Sequence, residues 1–221
     1  MSNELTKRKL VEVTYDILLH EGIQEVKARK IAQKAGCTAT VIYKYFDNLD
    51  YLITVSSMRF LDEYNEKMSA VVQEKGDSIA LNKKGWKIFI EYAFQNPIIF
   101  ERLFWGKGRQ VYEDALMEYY LLFPENLQAK AVAYFCITAF TANIEERDFI
   151  WLRRAANENL LYMEDAVYIS RVNSFIVHGM LLEYVEKKKD PGTAEKTAQE
   201  TYSLVEKTID PYVLLKTRAI S

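Results

Sequence analysis

The stretch between residues 26 and 51 carries the side chains best suited to contacting another molecule. At helical spacing, one side of a predicted helix over residues 38–46 is apolar and can pack inward. The opposite side offers hydroxyls, a phenol and an ammonium group, which are groups that hydrogen-bond to base edges and phosphates. The apolar side consists of Val41, Ile42, Tyr45 and Phe46, and the other side of Ala39, Thr40, Tyr43 and Lys44.

A second short helix is predicted over residues 27–34, immediately before this one. Gly36 suits the left-handed position that ends a helix, and the Thr38 hydroxyl can cap the next one. Two short helices that cross at a glycine-containing turn form a helix-turn-helix, whose second helix fits a DNA major groove. The local pattern therefore predicts contact with double-stranded DNA.

The run RKIAQKAGCTATVIYKYFDNLDYL resembles the DNA-binding signature of TetR/AcrR-type transcriptional regulators. The sequence departs from the family pattern at Thr38, Val41 and Leu49. It also has Val26-Lys27 where the family usually has a Thr that caps the first helix of the motif. The resemblance implies a three-helix DNA-binding domain followed by a larger helical domain. Spacing and residue type agree at Ile31, Ala32, Ala35, Gly36, Ile42, Tyr43, Tyr45, Phe46, Asn48 and Leu52.

The resemblance also implies which residues meet the DNA. Arg29 stands where many family members carry Arg and can reach a guanine edge or a phosphate, although it can equally be an ordinary surface cation. The basic run at 7–9 is either solvated charge at a helix start or an arm that contacts phosphate. The predicted DNA-binding residues are Arg29, Thr38, Ala39, Thr40, Tyr43, Lys44 and Tyr45.

Composition excludes several other classes of protein. The chain has 221 residues with 49% apolar residues, 8 Gly and 4 Pro, which favours a packed helical protein over an all-β chain. The net charge of −2 means that the molecule as a whole is not basic, so overall charge does not by itself indicate DNA binding. Two Cys and two His form neither a metal-ligand pattern nor a catalytic constellation, so we expect no cofactor, no metal and no enzymatic activity. The start of the chain lacks the apolar core of a signal peptide, and the apolar run at 131–144 is too short to span a bilayer, so we expect a cytoplasmic protein.

The predicted fold class is all-α, with a helix-turn-helix domain over residues 1–48 and a helical effector-binding and dimerisation domain over 49–221. A single helix over 49–73 is expected to link them. Further helices are predicted from residue 78 to the Asn96-Pro97 stop, and over 97–104, 111–123, 124–156, 163–188 and 194–209.

Two sites in the larger domain follow from the resemblance. Aromatic residues spread over several helices are core residues by default, but a ligand pocket between helices is lined in the same way. Family members dimerise through their last two long helices, and a mid-helix glycine such as Gly179 costs about 1 kcal/mol unless close packing requires it. The predicted pocket residues are Phe104, Tyr134, Thr138 and Thr141, and the predicted dimer-interface residues are Val172, Phe175, Gly179 and Leu182.

Together these features predict a homodimeric DNA-binding transcriptional regulator, most simply a repressor that a small-molecule effector releases from a palindromic operator. The alternative is a DNA-bound scaffold of the same fold, whose larger domain binds a protein instead of a small ligand. A closed apolar cavity in that domain would favour the first prediction.

Overall fold

A computed structural model describes residues 3–127, 139–187 and 191–214. Within these ranges the regular elements are helices joined by turns, which confirms the all-α fold class. None of the described helices is both long and apolar enough to cross a membrane.

Three helices form the N-terminal part: α1 (Asn3–Glu21), α2 (Ala28–Ala35) and α3 (Ala39–Tyr45). Their buried apolar faces meet in one small core, in which Leu10 and Ile17 of α1 are in the same cluster as Ile31 of α2 and Ile42 of α3. Phe46, just after α3, is also buried there. This core holds α3 in place on one side and leaves its other side at the surface.

The expected single linking helix is divided in two. Helix α4 (Leu49–Ser57) is followed by a 3-10 turn (Met58–Leu61) and then by α5 (Asp62–Gln73). The hydroxyls of Ser56 and Ser57 donate to the carbonyl oxygens of Leu52 and Ile53 at 2.8 and 2.7 Å. Such bonds to the preceding turn bend helices, which accounts for the tighter winding that follows. Asn48 caps α4, because its side chain accepts from the Tyr51 N–H at 2.7 Å.

The larger part contains α6 (Ser78–Gln95), α7 (Pro97–Phe104), α8 (Tyr112–Leu122), α9 (Ile144–Asn157), α10 (Met163–Glu186) and α11 (Ala194–Ile209). Short 3-10 turns span Arg109–Val111, Pro124–Asn126, Pro191–Thr193 and Asp210–Tyr212. Phe89, Phe100 and Phe104 pack ring against ring at centroid distances of 5.2–5.6 Å and form the centre of its core.

The predicted helix over 124–156 is wrong at its start and in its middle. Pro124 begins only a 3-10 turn, and α9 begins at Ile144. The Thr141 hydroxyl accepts from the Asn143 N–H at 3.1 Å, and the Asn143 side chain accepts from the Glu145 N–H at 3.2 Å. These local bonds satisfy backbone groups outside a helix and fix a new helix start.

Candidate DNA-binding surface and ligand cavity

Helix α3 has one buried side and one exposed side. Ile42 and Phe46 are buried and Val41 is half-buried, whereas Thr40 and Lys44 are exposed. Tyr43 is 55% exposed, which is unusual for a large aromatic residue and leaves its hydroxyl available to a partner. The two sides coincide with those that helical periodicity predicts, except that Ala39, predicted on the outward side, is half-buried.

The turn before α3 brings this helix across α2. Gly36 has φ 71° and ψ 37°, a left-handed conformation that is costly for a residue with a Cβ atom. The Cys37 N–H donates to the Ala32 carbonyl oxygen at 2.9 Å and closes the turn. Thr38 is the N-cap residue by position, but its side chain makes no capping hydrogen bond, contrary to our expectation. Its hydroxyl is exposed beside the polar side of α3 instead.

Two of the predicted DNA-binding residues have contacts inside the domain. Ala39 is half-buried and packs against the core. Tyr45 is also half-buried, and its hydroxyl donates to the Asn3 side-chain oxygen at 3.1 Å. Their roles in DNA binding stay predictions, and a partner would have to compete for the Tyr45 hydroxyl.

The cations around the motif divide into paired and unpaired groups. Lys30 and Lys34 on α2 form ion pairs with Glu21, and Lys30 also pairs with Glu25. These two lysines hold the pKa of Glu21 at about 2, well below its usual value. In the described part of the chain, Arg29 and Lys44 form no ion pair, and both are exposed. The positive charge left for a partner therefore includes Arg29 and Lys44 of the predicted DNA-binding residues, together with the exposed Lys9 of α1.

The basic run at 7–9 lies within α1, and two of its members contact the larger part of the protein. Lys7 pairs with Glu118 of α8 at 2.5 Å, and Arg8 pairs with Glu125. Their cationic groups also lie 5.5 Å from the Phe46 ring centroid and 4.7 Å from that of Phe123. These pairs hold α1 against α8 and the 3-10 turn at Pro124, so contact of Lys7 or Arg8 with phosphate stays a prediction, and DNA would have to compete for both charges.

A cavity of about 40 Å³ lies between α5, α6 and α9. Aromatic rings form much of its wall, and Asp148 is the carboxylic acid among its lining residues. On this measure a single water needs about 10–15 Å³, so a few non-hydrogen atoms can fit. The lining residues are Tyr64, Met68, Asn82, Gly85, Trp86, Phe89, Ile144, Arg147, Asp148 and Trp151.

Asp148 accepts hydrogen bonds from three neutral donors. The Asn82 side-chain N–H and the Trp86 indole N–H donate to one carboxylate oxygen at 2.6 and 2.7 Å. The Asn173 side chain on α10 donates to the other oxygen at 3.1 Å. Burial raises the pKa of Asp148 to about 6, because desolvation of the anion outweighs these three hydrogen bonds.

The predicted pocket residues lie beside this cavity or outside the described residues. Phe104 and Thr141 do not line the cavity, but both contact Arg147, which does. The Arg147 guanidinium lies 4.9 Å from the Phe104 ring centroid and donates to the Thr141 carbonyl oxygen at 2.6 Å. Tyr134 and Thr138 lie outside the described residues.

Sequence reasoning missed the Asp148 cluster, although one signal was available. Asn173 lies four residues after Ile169 and four before Val177, both of which are fully buried on α10. A polar residue at a buried helical position needs a partner, which indicates a polar group on a facing helix. That partner, Asp148, could not have been identified from sequence periodicity alone.

The predicted dimer-interface residues follow one side of α10. Phe175 is 63% exposed, and Val172 and Leu182 are half-buried. A Cβ atom added at Gly179 would meet no atom of the described residues within 4 Å, so packing within this part of the subunit does not explain the glycine. Tyr168 on α10 and Leu204 on α11 are further exposed apolar residues of these two helices.

Comparison with known proteins gives one curated relative and several structures. No family model matches the chain. The HTH-type transcriptional regulator BetI of Pectobacterium atrosepticum is 23% identical over 189 residues, covering 75% of this chain and 90% of that protein. A TetR transcription regulator from Haloarcula marismortui has a TM-score of 0.62 at 16% identity, with 95% of this chain and 98% of that one covered.

A second structural neighbour is the TetR-family repressor FadR of Thermus thermophilus in complex with lauroyl-CoA. Its TM-score is 0.56 at 13% identity, with 97% of this chain and 98% of that one covered. These similarities extend over nearly the whole chain and include both the helix-turn-helix and the larger part. The resemblance that the motif predicts is thus confirmed: the chain has the fold of the TetR-family transcriptional regulators.

Proposed function

We propose that this protein is a homodimeric, sequence-specific DNA-binding regulator that represses transcription until a small effector releases it from a near-palindromic operator. The observation that carries the proposal is the arrangement of α3. Its apolar side is locked in the core by Ile42, whereas Thr40, Tyr43 and Lys44 are exposed on the other side. A helix held in this way can enter a major groove.

The unpaired cations support distinct roles within that surface. Lys44 and Arg29 are exposed and unpaired in the described part of the chain, so each can neutralise a phosphate or contact a base edge. Thr40 can contact a base, and the exposed Tyr43 hydroxyl suits a phosphate oxygen. Two such surfaces in a dimer would contact half-sites about 34–36 Å apart.

Dimerisation is supported by the exposed apolar side of α10 and α11. Phe175, Tyr168 and Leu204 are 63%, 53% and 41% exposed, and such a patch is rarely left uncovered on a monomer. Gly179 on the same side would allow a second helix to approach closely, because no atom of its own subunit is near it. We assign Val172, Phe175, Gly179 and Leu182 to this interface.

Direct contacts provide a physical link between the DNA-binding part and the larger part. Glu118 of α8 pairs with Lys7 and accepts a hydrogen bond from the Tyr51 hydroxyl at 2.8 Å. Arg102 of α7 pairs with Asp50 at 3.0 Å. An effector that changed the position of α7 or α8 would therefore move α1 and α4 and alter the spacing of the two α3 helices. The shift requires only that the effector bind one arrangement more tightly.

The alternative is a DNA-bound scaffold whose larger domain binds a protein. The cavity between α5, α6 and α9 supports a small effector, because aromatic rings and a carboxylate line it, as in many ligand sites. The Thermus thermophilus FadR structure, which is in complex with lauroyl-CoA, gives an example of a ligand bound by a protein of this fold and supports the same proposal.

The test of DNA recognition is selection of bound fragments from a random duplex pool at two salt concentrations. We expect enrichment of a near-palindromic site at both. With that site, Arg29→Ala should cost about 1–3 kcal/mol and relax specificity at one position if Arg29 reads a base. Lys44→Ala should lower affinity evenly and reduce the salt slope by about 0.9 if Lys44 contacts phosphate.

Lys34→Ala is the matched control, because Lys34 is an exposed cation of the same motif that Glu21 already neutralises at 2.8 Å. It should bind the selected site nearly as well as the wild type. If no site is enriched, or if all three variants behave alike, the exposed side of α3 is not a DNA-reading surface.

The dimer assignment is tested by Gly179→Leu. A Cβ atom added there meets no atom of the described residues within 4 Å, so we expect the fold to be retained while the dimer weakens. Sedimentation velocity over a concentration series measures the change, and circular dichroism checks the fold. An unchanged dimer would remove Gly179 from the interface.

A further inference from the structure

The cavity beside Asp148 contains a combination of groups that points to one class of ligand. Among the described residues, no cation pairs with the Asp148 carboxylate, although it is only 4% exposed. Its three hydrogen-bond donors, on Asn82, Trp86 and Asn173, are all uncharged. A buried anion is usually paired with a positive charge, so this site favours an added cation.

A second, independent observation is an unpaired acceptor in the cavity wall. Asn82 lines the cavity and is 3% exposed, and its side-chain oxygen has no hydrogen-bond partner in the described part of the protein. The orientation of this amide is fixed, because its N–H group must face the Asp148 oxygen at 2.6 Å. A donor from a ligand would satisfy this oxygen, for which the described part of the protein supplies none.

The remaining wall suits a positive charge that also carries alkyl groups. Tyr64, Trp86, Phe89 and Trp151 line the cavity, and aromatic faces attract cations within about 6 Å of the ring. Arg147 also lines it, but its guanidinium donates to groups outside the lining, including the Tyr112 hydroxyl at 2.9 Å and the Ala139 carbonyl oxygen at 3.0 Å.

We propose that this cavity binds a small organic ammonium ion that keeps at least one N–H group, such as a protonated alkylamine or the amine end of a longer molecule. The N–H donates to the Asn82 oxygen, the Asp148 carboxylate balances the charge, and the rings of Trp86 and Trp151 cover the alkyl groups. The volume of about 40 Å³ limits the part that enters to a few non-hydrogen atoms. Identifying this ammonium ion as the effector rests on the proposed regulatory function.

The test measures binding of methylammonium and trimethylammonium chloride to the full chain by calorimetry and thermal melting. Sodium chloride at equal ionic strength controls for salt, and tert-butanol provides a neutral molecule of similar shape. We expect both ammonium ions to raise the melting temperature in a saturable way and the controls to have no such effect. Tetramethylammonium, which has no N–H, should bind about tenfold more weakly or worse.

Three variants locate the site. Asp148→Asn should weaken trimethylammonium binding at least tenfold, because the balancing charge is lost. Trp151→Leu keeps every hydrogen bond of the Asp148 cluster and should weaken binding about 2- to 30-fold. Trp105→Leu is its matched control, because Trp105 is also half-buried but does not line the cavity.

Three results would overturn the proposal: no ammonium ion binds, tert-butanol binds as well as trimethylammonium, or Trp151→Leu and Trp105→Leu have equal effects. Equal binding of tetramethylammonium would overturn the hydrogen bond to Asn82. Operator binding by the same preparations separates the two proposals. If the protein binds DNA but no ammonium ion, only the ligand proposal is wrong. If it binds ammonium ions but no DNA, the proposed regulatory function is wrong.

Discussion

Two carboxylates outside the helix-turn-helix, one buried and one half-buried, have nearly the same chemistry but different surroundings. Asp148 lines the cavity and accepts from Asn82, Trp86 and Asn173. Asp62, at the start of α5, accepts from the Tyr119 and Tyr120 hydroxyls and from the Asn126 side chain at 2.5, 3.3 and 3.0 Å. Burial raises the pKa of both carboxyls to about 6.

The surroundings of the two groups differ in exposure, donor type and adjacent space. Asp62 is only half-buried, two of its donors are hydroxyls that can rotate, and Arg59 lies close enough to lower its pKa slightly. Asp62 joins α5 to α8 and to the 3-10 turn at Pro124, and it does not line the cavity. A raised pKa therefore marks burial at both positions, but only at Asp148 is it accompanied by space and an unpaired acceptor for a ligand.

The largest expected difference is in stability. Asp148→Ala leaves three donors without an acceptor inside the protein, and each costs about 1–3 kcal/mol. We expect a loss of at least about 3 kcal/mol at pH 7. Asp62→Ala should cost less, about 1–2 kcal/mol, because Asp62 and Tyr120 are only half-buried, although the fully buried Tyr119 hydroxyl loses its acceptor. Urea denaturation measures both losses, and equal losses would contradict the distinction drawn from burial.

The next largest effect concerns the pH dependence of stability. A carboxyl whose pKa rises on folding binds its proton more tightly in the folded state, so its contribution is present below pH 4 and is lost as the pH rises through about 6. For Asp148 the loss is up to about 3 kcal/mol, and for the partly exposed Asp62 it is smaller because solvent screens the charge.

To test this prediction, the free energy of unfolding of each variant is compared with that of the wild type at the same pH. The free energy of unfolding of Asp148→Asn should change less between pH 4.5 and 7 than that of the wild type. Asp62→Asn should reduce this change by a smaller amount. Contributions of opposite sign, such as that of Glu21 with its lowered pKa, cancel in the difference. If both variants reduce the pH dependence of the free energy of unfolding equally, Asp62 is shielded from solvent as fully as Asp148.

The contrast between these regions and the helix-turn-helix shows what a sequence can specify. The turn and both sides of α3 were predictable because Gly36, Ile42 and Lys44 act through local backbone geometry and a period of 3.6 residues. The Asp148 cluster joins three helices across separations of 66, 62 and 25 residues, and periodicity carries no information about which faces will meet.

The two helix boundaries that were predicted wrongly have a common cause. Both the 3-10 turn after Ser57 and the late start of α9 involve Ser, Thr or Asn side chains bonded to nearby backbone groups. Such bonds compete with helix formation, and whether they succeed depends on the tertiary packing around them. The apolar pattern alone therefore predicted longer continuous helices than the protein has.

The smallest expected effect links the Asp148 carboxylate to ligand binding. Asp148 is the carboxylic acid of the cavity lining, and the groups that face it from α6 and α10 are neutral, so its ionisation should set the pH dependence. Trimethylammonium affinity should be level above about pH 7 and fall by up to tenfold for each unit below about 6, as protonation removes the anion. Calorimetry at pH 5, 6, 7 and 8 measures this profile.

Asp62→Asn is the control, because that carboxyl has a similar pKa but lies outside the cavity lining. It should leave the profile unchanged, and a shifted profile would show that the two carboxylates act together instead of independently.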